Sequence, residues 1–470
     1  MTPADHAAAL LADSTALHHA EALADAADHG DEAVRGAGLA ALFGGLVEPL
    51  NDSFRPAGRD AYATIFSHIV WRVCARDPAL AQALAGFGIT DGGALLARYQ
   101  AARRSMTAAP AEARRIVVLS RVTIGADVLL TTVVLQRLHQ RYPQAELVVV
   151  GDGKLAGLIS GLPQVRVRPL AYGRRGPLRE RLSAWLTVLE AVQAEAPDLV
   201  IAPDSRLDQL GILPVTVEPT RYFLWENTLL ESRPPESLAA SLDRWLAARL
   251  GLPAAPRVLP RVAFDGPTSA QARILAAAFG TGPLVAVKLD HGGNPAKALP
   301  RAAEVLLLKT LRERGWRVLL DRGFGPAELA SSDALLAEVG WTALDLDDSG
   351  KGLGHPVDGL TPEVLAAAPV LRFHGSIGGW AAALAACHLA ISYDSVGHHL
   401  AAALGIPLVT AFTGHPDERF LAAWCPQGSS PVTLVAIPTA AKESPSEWQR
   451  VMEALPTLPG PRAAGAHRGR

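Results

Sequence analysis

Cysteine is scarce in this 470-residue chain: Cys74, Cys387 and Cys425 stand far apart and form no Cys-x-x-Cys pair. That excludes a disulfide framework and argues against a structural zinc, leaving buried free thiols in a reducing compartment as the expectation. No run approaches the eighteen or so apolar residues of a membrane span. The opening "MTPADHAAALLADS" has an acidic residue where a secretory leader needs basic ones, so a cytoplasmic location is expected. Neither sign of charge dominates: 44 Lys and Arg against 46 Asp and Glu give a net charge of -2. This argues against wholesale nucleic-acid binding and makes any anion site local. Hydrophobic residues reach 49%, a figure raised by alanine, and charged residues 19%, as in a soluble globular chain long enough for two or three domains.

What is present begins with helix. Residues 1–110 are rich in Ala, Leu, Asp and His, with helical spacing in "HAAALLADSTALHHAEALADAADHG" and "DAYATIFSHIVWRVCARDPALAQALAGFGI". Breaks are expected at Asn51-Asp52-Ser53 and at Pro56-Ala57-Gly58. The first fifty residues carry eight acidic residues and one basic, Arg35. Such a separate acidic domain suits protein contact or oligomerisation, or is simply solvated. His6, His18, His19 and His29 show no repeated ligand spacing, so solvated positions are expected rather than a metal site.

After the linker-like "TAAPAEARR" the texture changes. From Arg115, "RIVVLSRVTIGADVLLTTVVLQRLHQRYPQAELVVVGDG" reads as buried strand, loop, helix and strand, the opening unit of a doubly wound domain. Gly125 suits the turn, and Asp127 either caps the helix or faces a ligand. Arg174, Arg175, Arg179 and Arg181 place four arginines within eight residues, suited to clamping phosphate or carboxylate or to a solvated face. Asp204, Arg206 and Asp208 follow a strand's carboxyl end, where ligands of open α/β sheets gather. "RYFLWEN" is either sugar contact or packing, and the Pro-rich "GLPAAPRVLPRVAFDGP" reads as the link to a second half.

That half opens with "GPLVAVKLDHGGNPAKALP", which places Lys288 in a strand and Lys297 in the loop beyond it. Its most informative stretch is 387–409, "CHLAISYDSVGHHLAAALGIPLV", read as strand, polar turn, helix and strand. The turn aims the unpartnered N–H groups of a helix start, and the positive end of its dipole, at the carboxyl edge of a parallel sheet. That is a place to hold a phosphate. Asp394 and Ser395 can cap the helix or bind a hydroxyl, Gly397 lets backbone come close, and His398 or His399 can donate to an anionic oxygen. A capped core helix is the equal alternative.

The stretch resembles the "DSG…HLAAALG.P" signature of the bacterial lipopolysaccharide heptosyltransferases, an ADP-heptose glycosyltransferase family with two Rossmann-like halves around a nucleotide-sugar cleft. It matches at Asp394, Ser395, His399 and "LAAALGIP", and departs at Val396, where the family has glycine. The likeness spans roughly residues 114–438. It implies that Asp127 is the base that deprotonates the acceptor hydroxyl, although Gly125-Ala126-Asp127 is one residue longer than the family's "S.GD" loop. Lys297, matching the lysine of "KRWP", is implied on the donor phosphate, with Lys288 as its competitor. Thr413 and Gly414 of "FTGHPDERF" are implied near the nucleotide, and Asp321 or Glu328 on the nucleoside. Arg174, Arg175 and Arg206 become acceptor-binding candidates.

The expected architecture is therefore α/β, with two Rossmann-like domains facing a central cleft (glycosyltransferase-B type) after an all-α N-terminal domain. The divisions are 1–110, 111–262 (acceptor side), 263–440 (donor side) and 441–470, a helix crossing back onto the first half and a basic flexible tail. The expected reaction is inverting transfer of a sugar from a nucleotide-sugar, ADP-heptose in the family, to a saccharide, lipid or protein acceptor, at the cytoplasmic face of the inner membrane or in the cytoplasm. No cofactor and no metal is expected: Asp347-Asp348 reads as a cap, and His398 and His399, about 100° apart on a helix, as an unsuitable pair of ligands. Two rivals are a catalytically weak nucleotide-sugar binding protein and a nucleotide-sugar epimerase of similar architecture.

Overall fold

Two wholly parallel sheets organise the chain. The first contains β1 (Arg115–Leu119), β2 (Glu146–Gly151), β3 (Val165–Pro169), β4 (Leu199–Ala202) and β5 (Tyr222–Leu224), in the order β3-β2-β1-β4-β5. The second contains β6 (Leu284–Lys288), β7 (Arg317–Asp321), β8 (Leu344–Asp347), β9 (Val370–His374), β10 (Leu389–Tyr393), β11 (Leu408–Phe412) and β12 (Val432–Ala436), in the order β12-β11-β10-β6-β7-β9-β8. The computed structural model describes residues 1–105, 108–120, 123–170, 176–203, 211–226, 235–280, 282–292, 294–323, 325–347 and 362–456. Strand order reverses beside β1 and again between β6 and β10, where Ser392 lies opposite Lys288. Such reversals open a crevice beyond the strands' carboxyl ends.

Alternation along the strands sorts their side chains between two cores. Ile116 and Val118 point to a core shared with Leu129, Leu130, Leu400 and Phe412, which welds the two halves together. Val117 and Leu119 point to the opposite core, shared with Leu23, Phe66, Ile69 and Leu95 of the N-terminal helices. Those helices are α1 (Pro3–Ala12), α2 (Leu17–Ala27), α3 (Glu32–Leu42), α4 (Glu48–Asp52), α5 (Pro56–Cys74), α6 (Pro78–Gly86) and α7 (Gly92–Arg104). They form the lid on one face of the first sheet, and their apolar core is continuous with it.

The acidic run is put to internal use. Asp25 pairs with Arg72 at 2.7 Å and Arg76 at 2.7 Å, Asp31 caps α3 through Ala33 N and Val34 N, and Asp28 accepts from the backbone N–H of Arg179. Pro56-Ala57-Gly58 is the first turn of α5 rather than a break, since a proline at the first helical position gives up only an N–H that has no partner. A π turn, Phe43–Val47, joins α3 to α4, so Glu32–Asp52 runs as one helical stretch of 21 residues with a mean hydropathy of 1.2 in its most apolar window. By length and composition it meets the requirement of a membrane span, contrary to expectation; leucine and valine supply most of that hydropathy, and Leu42, Leu46 and Val47 are buried in the protein. The helix Pro445–Glu453 also departs from expectation. Its Val451 and Met452 pack with Leu308 and Leu311 of the second half, so it does not cross back. The basic tail lies outside the described residues.

Phe54, just after α4, holds a left-handed backbone (φ 48°) and is 1% exposed. Its ring lies 6.0 Å from that of Phe420 and 6.4 Å from that of Trp424, both in the second half. The N-terminal helices are thereby fastened to both halves. Phe54→Ala is expected to lower unfolding free energy by about 3–5 kcal/mol, measured by urea denaturation. A loss below ~1 kcal/mol would show that the ring is no part of the cooperative core.

Candidate functional site

The loops that follow β1, β6, β10 and β11 converge on a cleft of about 610 Å³ between the halves. Asp394 and Ser395, at the end of β10, lead into the helix Val396–Ala403, whose cap is the Ser395 hydroxyl accepting from Gly397 N at 3.3 Å. The Lys297 ammonium reaches over from the loop after β6, 2.6 Å from Asp394 Oδ2 and 3.3 Å from its backbone carbonyl. Lys297, Asp394, Ser395, His399 and Gly414 all line the cleft. Gly414 does so with a left-handed backbone (φ 76°) of the kind glycine favours.

Lys288, the competing lysine, is 3% exposed and committed elsewhere: it pairs with Asp321 and, at 3.1 Å, with Asp290. Burial disfavours its charge, but the Asp321 and Asp290 carboxylates outweigh that and hold its pKa above the ordinary range. Burial likewise opposes ionisation of Asp290, yet Lys288 and the Gly292 amide keep that carboxyl low; the deeper Asp321 is raised by its burial. Beside this cluster a second cavity, about 380 Å³, opens between the ends of β6 and β7 and the helix Pro326–Val339. Glu328 and Asp321 line it, and Asp290 and His291 line both cavities, so the two adjoin. Glu328 also caps its helix, accepting from Gly325 N at 3.3 Å.

Histidines around Asp394 are neutral at pH 7. Burial, and secondarily the nearby Lys297 charge, lowers His398 to about 3; burial drives His399 well below the usual value and lowers His415 also. Their buried Nδ1 atoms at His399 and His415, with His291 Nδ1 and Thr413 Oγ1, have no hydrogen-bond partner among the described residues. Of these residues, His291 and His399 line the cleft.

Several expectations need correction. Asp127 is 1% exposed and does not line the cleft: its carboxylate accepts from Ser120 Oγ and Thr131 Oγ1, each at 2.7 Å. The reason is local. Asp127 opens a π turn, Asp127–Thr131, and its carboxylate is turned to Ser120 and to Thr131 at the end of that turn. Gly397 serves the interior: a Cβ there would meet Ser392 Oγ at 2.6 Å and Lys288 Cδ at 2.8 Å. The close approach belongs to Gly125, where a Cβ would meet Val396 Cα at 3.2 Å and His399 Cδ2 at 3.3 Å. Val396 thus fills the space that glycine leaves across the cleft. Thr413 is fully buried behind the cleft, and His398 is a core residue beside Thr410. In "RYFLWEN", Tyr222, Phe223, Leu224 and Trp225 are buried packing, and Glu226 pairs with Arg103. Arg174, Arg175 and Arg206, with Asp204, Asp208 and Asp348, lie outside the described residues. Of the arginine cluster, Arg181 reaches the cleft, its guanidinium 5.5 Å from the Phe43 ring centre.

Asp394, His398 and His399 offer ligand atoms within 4.8 Å of one another, and the two rings stand 4.0 Å apart instead of diverging. They do not suit a divalent cation, because the Lys297 ammonium already sits 2.6 Å from Asp394 Oδ2. The sequence also gave no sign of Phe43, Val47, Glu48 and Asp52, which line the cleft from the N-terminal helices. Their helical periodicity marks a helix but cannot say what it faces.

No family model matches this sequence, and no curated protein does either. Among solved structures, the two sheets match a glycosyl transferase family 9 protein from Veillonella parvula at 17% identity, covering 74% of this chain and 97% of that one, with a TM-score of 0.51. The ADP-heptose lipopolysaccharide heptosyltransferase II of E. coli is similar at 18% identity, 72% and 96% coverage, and a TM-score of 0.49. The fold is thus that of the two-domain B-type glycosyltransferases, and about a quarter of the chain, the size of the N-terminal helices, has no counterpart in the Veillonella parvula structure.

Burial of neutral His398 sets an acid limit on stability. Between its unfolded value near 6.5 and about 3 the unfolded chain binds a proton that the folded chain refuses, so stability falls as pH drops through this window. His398→Asn is expected to flatten that limb by up to about 1.4 kcal/mol per pH unit, read from urea midpoints at pH 4 to 7. An unchanged slope would place the acid sensitivity elsewhere.

Proposed function

We propose that this protein is an inverting, metal-independent glycosyltransferase that uses a nucleotide-sugar donor, with ADP-heptose as the leading candidate. The observation that carries this reading is Lys297 held 2.6 Å from Asp394 at the start of the helix Val396–Ala403, beside two adjoining cavities. The nucleoside takes the cavity lined by Glu328 and Asp321. Its diphosphate lies over Lys297 and the turn at Ser395, and the sugar projects toward Asp394 and the first half. His399, a neutral ring, forms part of the wall that the diphosphate and the sugar meet.

The chemistry follows from charge. As the bond between the anomeric carbon and the diphosphate breaks, negative charge accumulates on the leaving oxygens. Lys297 and the positive end of the helix stabilise that charge in a partly dehydrated cleft, without a metal ion. Lys297 is restrained by Asp394, so little reorganisation is needed at the moment of reaction. An acceptor hydroxyl then attacks from the opposite side, and a single in-line displacement inverts the anomeric centre. The cytoplasm, or the cytoplasmic face of a membrane, is the place where such donors are used.

Thermal unfolding in the presence of ADP, UDP, GDP and their sugars tests the donor site. A ligand at a hundredfold excess over its Kd stabilises the folded state by about 2.7 kcal/mol. A selective rise in Tm with one nucleoside diphosphate family, lost in Lys297→Ala and Asp394→Ala, is the expected result. If no nucleotide shifts the wild type, the donor reading is wrong.

A further inference from the structure

Away from the cleft, the first helical hairpin brings together histidines that the sequence keeps apart. His6 lies on α1, His18 and His19 on α2. His6 Nδ1 stands 2.9 Å from His19 Nδ1, and the His18 ring centre is 3.9 Å from that of His19. Spacing along the chain could not show this, because the two facing nitrogens belong to residues thirteen apart on different helices.

The scaffold beneath the pair is fixed by packing and by caps. Ala7 and Leu10 of α1 share a buried core with Ala20, Leu23 and Ala24 of α2. Each histidine directly precedes one of these core residues, and both rings are half-buried. Thr2 and Asp5 cap the start of α1 reciprocally, Asp5 N donating to Thr2 Oγ1 at 3.2 Å and Thr2 N to Asp5 Oδ2 at 2.7 Å. In the connection, Asp13 accepts from Thr15 N at 2.9 Å and from Thr15 Oγ1 at 2.6 Å. Side chains carried on helices held in this way keep their geometry better than side chains on loops.

The contact itself has a particular chemistry. Two like nitrogens can share only one proton, so one ring donates and the other accepts. A cation satisfies both lone pairs at once. With metal–nitrogen bonds of about 2.0–2.1 Å, nitrogens 2.9 Å apart subtend an angle of about 90° at the ion. That is the angle between neighbouring ligands in square-planar and octahedral coordination, and it is narrower than the tetrahedral angle of zinc sites. A ligating imidazole must also be neutral. Burial, and then the neighbouring His18 and His6, lower the pKa of His19, which keeps it neutral at pH 7.

We propose that His6 and His19 bind, through their Nδ1 atoms, a late first-row divalent cation, Cu²⁺ or Ni²⁺, which staples α1 to α2 and takes its remaining ligands from water. The ring that carries its proton on Nδ1 passes to its Nε2–H form when the ion takes Nδ1, so no net proton is lost. Among the described residues, none that lines the cleft belongs to α1 or α2. The staple is therefore independent of the donor site, and sugar transfer still needs no metal.

Cu²⁺, which N-donor sites hold most strongly in its series, is the probe. It is titrated into the intact, tag-free protein at pH 7 and followed by visible absorption and by pulsed electron paramagnetic resonance, which counts coordinated imidazoles. One ion per chain with two imidazoles is expected. Losing a ligand should weaken binding by at least ~10-fold, the lower end of what losing a mere supporting partner costs, in His6→Ala, His19→Ala and His6→Gln. The last variant keeps an amide that can hydrogen-bond His19, and urea midpoints without copper check that each variant is folded. His29→Ala, which removes a ring whose Nδ1 accepts from Asp31 N, is expected to bind as the wild type does. Unchanged affinity in the folded His6 and His19 variants, a signal from a single imidazole, or several weak sites per chain would mean an adventitious ion only and overturn the assignment. Failure of the wild type to bind copper overturns it as well.

Discussion

A parallel sheet has to be covered on both faces, because its strands carry apolar side chains up and down alike. In the first half of this protein one of those covers is the N-terminal helical region. Val117, Leu119, Val148 and Val200 share their core with the N-terminal helices and the helix Leu178–Glu195. The region is therefore a layer of the sheet's own core, and its placement follows from the need to keep that face dry. Once it is placed, the chain leaving α3 must pass the mouth of the cleft, and the residues at 43–54 become part of its wall.

The same economy governs the two lysines of the second half. Lys288, on the last position of β6, is swallowed by the sheet edge and neutralised by two carboxylates, which makes it a fastening between β6 and β7. Lys297, nine residues later and on a short helical turn, stays half-buried at the cleft against one carboxylate. A buried ion pair is weak evidence of stability but strong evidence of position. The first lysine fixes the floor of the site and the second remains close enough to solvent to meet an incoming anion.

Much of this was legible in the residues. Apolar runs such as "RIVVL", "LVAVK" and "LAISY" are too short for helices and too continuous for surface strands, and all three are buried parallel strands. The turn at Asp394 and Ser395 and the loop lysine at 297 could be placed at carboxyl ends because strand and helix order alone dictate it. What failed was whatever depended on facing. Asp127 sits in the segment where it was expected, but it opens a π turn and its carboxylate lies against Ser120 and Thr131. Gly397 proved necessary for packing against Lys288 rather than for access. The participation of α4 had no local signature, since it arises from the meeting of segments more than three hundred residues apart.

The aromatic contact at Phe54 bears on how ligands exchange. Two-lobed enzymes commonly admit substrate and release product by swinging their lobes about a hinge. Here a swing that widened the mouth would pull Phe420 and Trp424 away from a ring seated on a third layer and wet three aromatic faces, each a large apolar surface. Gly125, pressed against Val396 and His399, sets the limit in the closing direction. The two contacts together hold the halves at one separation, so the mouth of the cleft keeps its width only while the Phe54, Phe420 and Trp424 rings stay packed.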